Sequence, residues 1–207
     1  FLTETVLKAF PPEAFYLLTA MSEHALAYSE EPLRHRFLVL IEAGGSAGDM
    51  SNYLMRSLLS EGRLSYETVE STPEGLRARR IEREGPTGLL VTTTRTGLHP
   101  ENETRLFSLP VTDTKEQTRQ ILRSLAEDRP SVDFEEARAL QAWIGLSDSH
   151  VVIPFAEALA ETMPPVAVRL RRDFKAVLNL IRAHAILHQA TRQRDKDERI
   201  VATLGDY

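Results

Sequence analysis

The sequence predicts an α/β fold: a parallel sheet flanked by helices and interrupted by a β-hairpin, followed by an α-helical region. Three observations carry that expectation. Arg36-Phe-Leu-Val-Leu-Ile-Glu42 is an unbroken apolar run closed by an acid, the pattern of a strand buried on both faces. Thr87–Thr94 is a second such run, closed by three hydroxyls. From Thr114 onward the apolar spacing takes the helical period and keeps it. The boundary is expected near residue 112, dividing the chain into 1–112 and 113–207.

The elements follow in order. Leu2, Val6, Leu7 and Phe10 share one helical face over residues 1–10, and Pro11-Pro12 stops that helix. Residues 14–20 read as a short buried strand, and 22–28 as a helix capped by Ser22. After the first long run, Ala43-Gly-Gly-Ser-Ala-Gly48 is a loop. A helix then starts at Asp49 or Ser51 and runs to about Ser60, with Met50, Leu54, Leu58 and Leu59 on one side and Gly62 closing it. Arg63–Glu70 and Leu76–Glu84 flank the turn Ser71-Thr-Pro-Glu-Gly75, which predicts a β-hairpin over 63–84. Gly85-Pro86 punctuates it, and the apolar segment Thr104–Val111 is expected to be a last strand. Helices are expected over 114–127, 133–144, 151–162 and 165–189, then a charged, solvated loop at Arg192–Arg199. Thr203 and Asp206 have capping-box spacing. Phe1 falls inside a helical pattern and a helix begins at Thr203, so the sequence reads as a piece of a longer chain, truncated at both ends.

Composition narrows the function. With 207 residues, 42% hydrophobic and 27% charged, the chain has the makings of a packed core. A net charge of −5 gives no global basic field, so any nucleic-acid contact has to come from a local cluster. Having no cysteine excludes disulfides and thiolate metal sites. No apolar run approaches the ~20 residues that span a bilayer, and no secretory signal is visible. A cytoplasmic setting without membrane contact is the expectation.

Five groups of residues carry chemistry. Glu42, just past the end of a buried parallel strand, stands where such sheets bind ligands; there a carboxylate polarises an attacking water or holds Mg²⁺. Taken alone, an ordinary strand-ending acid is the simpler reading. Thr93 and Thr94 place hydroxyls at the end of the next strand, or satisfy only their own backbone. Arg105 is a permanent planar cation that could meet a neighbouring subunit's γ-phosphate, or pair with Glu101 or Glu103. Arg169, Arg171 and Arg172 crowd the start of a long helix, where cations oppose the macrodipole unless an anion or the acids Asp173, Glu157 and Glu161 compensate. The hairpin holds Arg63, Arg77, Arg79, Arg80 and Arg83 among five glutamates, either a phosphate-tracking surface or a solvated ribbon. Two motifs mislead. Gly44-Gly-Ser-Ala-Gly48 lacks the Gly-Lys-Ser/Thr of a phosphate-binding loop, and His184 with His188 has no third ligand, so no metal site is expected.

The order of these features resembles the AAA+ ATPases that carry a hairpin before sensor 1, and is most similar to the minichromosome-maintenance-like helicases and their mobile-element relatives. The resemblance implies a partial AAA+ core without its phosphate-binding loop, then an α-helical lid. It makes Glu42 the Walker B glutamate, Thr94 (with Thr93 as backup) sensor 1, and Arg105 in Glu-Thr-Arg-Leu-Phe an arginine finger acting in trans. Arg171-Arg-Asp-Phe-Lys175 falls in the lid helix, where Arg172 or Arg171 would contact nucleotide and strict register selects Lys175. The hairpin, through Arg77, Arg79, Arg80 and Arg83, would grip nucleic acid. ATP, Mg²⁺, DNA and further copies of the chain, a hexamer being one such ring, are the implied partners. The chain departs from the family at Ile41, where the Walker B aspartate would stand, and at its sensor 1 threonine, where the family has Asn. A protein-remodelling ATPase and a non-hydrolysing interaction module are the competing expectations.

Overall fold

The computed structural model describes residues 2–41, 49–94, 105–111, 114–127 and 132–207. They form a mixed α/β structure that separates into two compact units, Phe1–Glu136 and Ala137–Tyr207.

The first unit opens with α1 (Leu2–Leu7), which buries Leu7 before the prolines end it. A 3-10 turn at Pro12–Ala14 leads into β1 (Phe15–Leu18), followed by α2 (Ala25–Tyr28) and β2 (Arg36–Leu40). Helix α2 is shorter than expected: His24, not Ser22, occupies its N-cap, and no side chain caps it. Ser22 instead offers its carbonyl to the Ala25 amide, closing a turn ahead of the helix. Next come α3 (Asp49–Glu61), β3 (Arg63–Thr72), β4 (Gly75–Glu84), β5 (Thr87–Val91) and α4 (Lys115–Ala126). Thr114 caps α4, its hydroxyl accepting from the Gln117 amide.

Strands β1, β2 and β5 form one parallel sheet in that order, with Leu40 opposite Leu18 on one side and Val91 on the other. The central strand carries the unbroken apolar run, and its Leu38, Val39 and Leu40 are all buried, which explains why the run does not alternate. Leu38 and Leu40 face a core built with Leu26 and Ala27 of α2 and Leu54, Met55 and Leu58 of α3. The hairpin β3–β4 is a separate antiparallel pair rooted in that core by Leu64, whose burial contributes about 2 kcal/mol. Its root needs two glycines. Gly62 stops α3 at φ 68°, in the left-handed region, and the Gly85 amide donates to its carbonyl at 2.8 Å. A Cβ on Gly85 would lie 2.6 Å from that same oxygen, so no larger residue fits.

The expected last strand is not one in its described part: Arg105–Val111 is turn and coil, with Phe107, Leu109 and Val111 exposed. Apolar composition was not enough, because no neighbouring strand pairs with the described segment and Pro110 has no amide to offer.

The second unit takes in most of α5 (Glu135–Leu146), then β6 (Val151–Val152), α6 (Ala156–Thr162), α7 (Leu170–Leu187) and β7 (Ile200–Val201), closing on a 3-10 turn at Leu204–Asp206. It is not purely helical. Val151 and Val152 were expected to open a helix, but they pair in parallel with Ile200 and Val201. Three β-branched residues followed by Pro154 disfavour helix there, and α6 starts only at Ala156. Ile153, Ile181, Ala185, Ile200 and Ala202 make this unit's core. The charged loop 192–199 is solvated but ordered by Asp195, which accepts from the Asp197 and Arg199 amides at 3.0 Å and from the Arg199 guanidinium at 2.8 Å. No helix among the described residues is long and apolar enough to cross a membrane.

Candidate functional site

Parallel pairing puts the ends of β2 and β5 at one rim. The Ile41 amide donates to the Leu18 carbonyl and the Thr92 amide to the Leu40 carbonyl, each at 3.0 Å. The chain therefore leaves both strands on the same side, where open α/β sheets bind ligands. Thr92 and Thr93 are half-buried and Thr94 is exposed. Glu42, the glycine-rich loop 43–48, and Glu101 and Glu103 lie outside the described residues. The Ile41 side chain offers no oxygen to a cation, so at this position the rim lacks the carboxylate that would hold Mg²⁺.

Arg105 sits elsewhere. Its Nε donates to the Ser60 hydroxyl at 2.7 Å, in the last turn of α3. That turn ends at Gly62, which is bonded to Gly85 just before β5 begins. Ser60 is thus at the opposite end of the sheet from Thr92. From Asp49 to Ser60 the helix is about 16 Å long at 1.5 Å per residue. Arg105 thus lies away from its own chain's rim.

In the hairpin, all four arginines expected to bind nucleic acid are engaged. Arg77 pairs with Glu74, Arg79 with Glu70 at 3.2 Å, and Arg80 with Glu82 at 2.9 Å and with the Ser65 hydroxyl at 3.0 Å. Arg83 donates to the Glu31 carbonyl, fastening the hairpin root to the loop between α2 and β2. Five arginines meet five glutamates over 63–84, so the ribbon is neutral. Cross-strand pairing puts Val69 opposite Ala78 and Ser71 opposite Leu76, all on one face. Val69 and Leu76 there are 64% and 76% exposed.

On α7 the arginines divide. Arg169 meets Asp173 at 3.4 Å, as the acid-compensated reading expected. Arg171, Arg172 and Lys175 are exposed, and none has an acidic partner among the described residues. Arg171 also borders an open apolar groove of about 400 Å³ formed with Met163, Pro164, Val166, Leu170 and Phe174.

The most strongly perturbed group lies at the far end of α7. Asp206 is buried and takes the Arg192 guanidinium at 2.6 and 2.9 Å, the His184 Nδ1 at 2.7 Å, and the Thr203 amide and hydroxyl at 2.7 and 3.1 Å. The guanidinium, against the opposing effect of burial and with help from the Thr203 amide and His184, holds this carboxyl far below the usual carboxylate range. The capping-box spacing marked Asp206 in the sequence; Arg192 and His184 as its partners left no sequence signal. His184 also stacks on His188, with ring centroids 4.4 Å apart. Every acceptor position of this carboxylate is occupied, which makes it a structural clamp.

Compared with protein-family models and with curated proteins, the chain matches none of them.

Proposed function

We propose that this chain is part of a nucleotide-hydrolysing motor of the AAA+ kind, assembling head to tail with copies of itself and driving its hairpin along a nucleic-acid track. One observation carries the reading: β2 and β5 are adjacent, parallel, and end at one rim. In this reading a triphosphate lies over that rim. Glu42 accepts a proton from the attacking water, and the Thr94 hydroxyl, or that of Thr93, orients it. Arg105 of one copy meets charge developing on the phosphate held by the next, which suits its position at the opposite end of the sheet. Arg172, with Arg171 and the register alternative Lys175, supplies a cation that has no acid to release among the described residues. Mg²⁺ entering with ATP would neutralise phosphate charge; with no side-chain oxygen at Ile41, its ligands would come from the nucleotide and water, leaving Glu42 to the attacking water. The phosphate-binding loop would come from sequence outside residues 1–207.

The test is Arg105→Ala in the full-length protein. Hydrolysis should fall by at least about a hundredfold while nucleotide affinity stays within about twofold. Equal loss of both removes the trans assignment.

A second reading has its own support. A neutral hairpin with an exposed aliphatic tip suits a polypeptide client better than a phosphate backbone. In that case the motor remodels protein.

A further inference from the structure

The groove beside α7 and a short acidic segment at the start of α5 complement one another. Leu170 and Phe174 form the groove's helical wall, and Met163, Pro164 and Val166 its other side. Arg171 borders it, and Lys175 lies one turn further along the same helix stripe. Neither cation is paired among the described residues. Val132-Asp-Phe-Glu-Glu136 combines two apolar side chains with three acids. Val132 is 72% exposed, the Asp133 carboxylate accepts from the Glu135 amide at 2.9 Å, and Glu135 and Glu136 have no cationic partner among the described residues.

We propose that the occupant of the groove is residues 132–136 of a second copy. Val132 and Phe134 enter the apolar channel, and Glu135 and Glu136 meet Arg171 and Lys175. Two features argue for this occupant. The charges are opposite, and neither set has a partner among the described residues, so contact compensates each set. The contact is also heterologous: every copy offers one groove and one segment, so association propagates head to tail and closes into a ring where the rotation allows. Arg172, one residue round the helix from Arg171, stays available for nucleotide. The inference rests on the motor reading in one respect only, that copies associate.

Charge exchange tests it, without nucleotide, by sedimentation velocity on the full-length protein. One variant carries Arg171→Glu and Lys175→Glu, the other Glu135→Lys and Glu136→Lys; far-UV circular dichroism first establishes that each is folded. Each variant alone should associate at least about tenfold more weakly than the parent. An equimolar mixture should recover association, because each variant's altered surface then faces its complement. A parent that stays monomeric at tens of micromolar overturns the proposal. So does undiminished association of either variant alone, or a mixture no stronger than its components. Because no nucleotide is present, failure here leaves the rim untouched, and failure of the Arg105→Ala test leaves the docking result standing.

Discussion

The arginines of the hairpin and those of the second unit look alike in the sequence and behave differently in the fold. Arg77, Arg79, Arg80 and Arg83 of the hairpin stand on a solvated ribbon, each held by a glutamate or a carbonyl. In the second unit Arg192 clasps a buried carboxylate, while Arg171 and Arg172 stand without acids among the described residues. The family resemblance made the hairpin, with its basic residues, the binding surface. The fold reverses the emphasis: Arg79 meets Glu70 across the ladder, Arg80 meets Glu82 along its own strand, and Arg77 meets Glu74 in the turn. A cation already compensated has to break a contact before it can make a new one; an uncompensated cation does not.

The sharpest way to break this comparison is at the buried pair. Asp206→Ala should destabilise the second unit by about 3 kcal/mol, because it leaves the Arg192 guanidinium without its partner in a largely buried position. Urea denaturation followed by circular dichroism measures it. A loss no larger than that of an exposed pair would make Arg192 energetically equivalent to the hairpin arginines.

Acid provides the second test. The folded carboxyl of Asp206 titrates below its unfolded counterpart, so its contribution is fully present above the unfolded value of about 3.9 and is lost as pH falls toward the folded one. Stability of the parent should therefore drop between about pH 5 and pH 2 more steeply than that of Asp206→Asn. Parallel curves would show that the clamp does not contribute through charge.

How far the sequence foretold these contrasts depends on the range of the interactions. The long apolar runs of β2 and β5, the hairpin with its turn, and the Thr203 cap were all readable, because each is set by residues within one element. The β6–β7 ladder was not: two residues pair across 48 intervening ones, too short a run to register as a period. The same limit applies to Arg105 with Ser60, and to His184 and Arg192 with Asp206. For the candidate site, the common rim of residues 41 and 92 follows from strand types the sequence already indicated. Which cations stand apart from acids followed only from the assembled fold.

A third, smaller effect tests these uncompensated cations. Arg172→Ala should weaken nucleotide binding by the full-length protein by about tenfold, the scale of one charge-assisted contact of ~1.4 kcal/mol, and should leave thermal stability unchanged. If binding survives and Lys175→Ala weakens it instead, the nucleotide contact lies one turn further along α7.

The smallest expected effect is at the hairpin. Arg79→Ala with Arg80→Ala should change stability by less than about 0.5 kcal/mol per residue, since both pairs are exposed and screened. That near-neutrality makes the variant a clean probe of the track. If the arginines leave Glu70 and Glu82 to meet phosphates, the double change should lower the salt dependence of single-stranded DNA binding by about one logarithmic unit of slope for each phosphate no longer neutralised. If the slope does not change, phosphate is not what the ribbon holds. The client surface is then Val69, Leu76 and Ala78, and Leu76→Asp should disable the motor where the arginine changes did not.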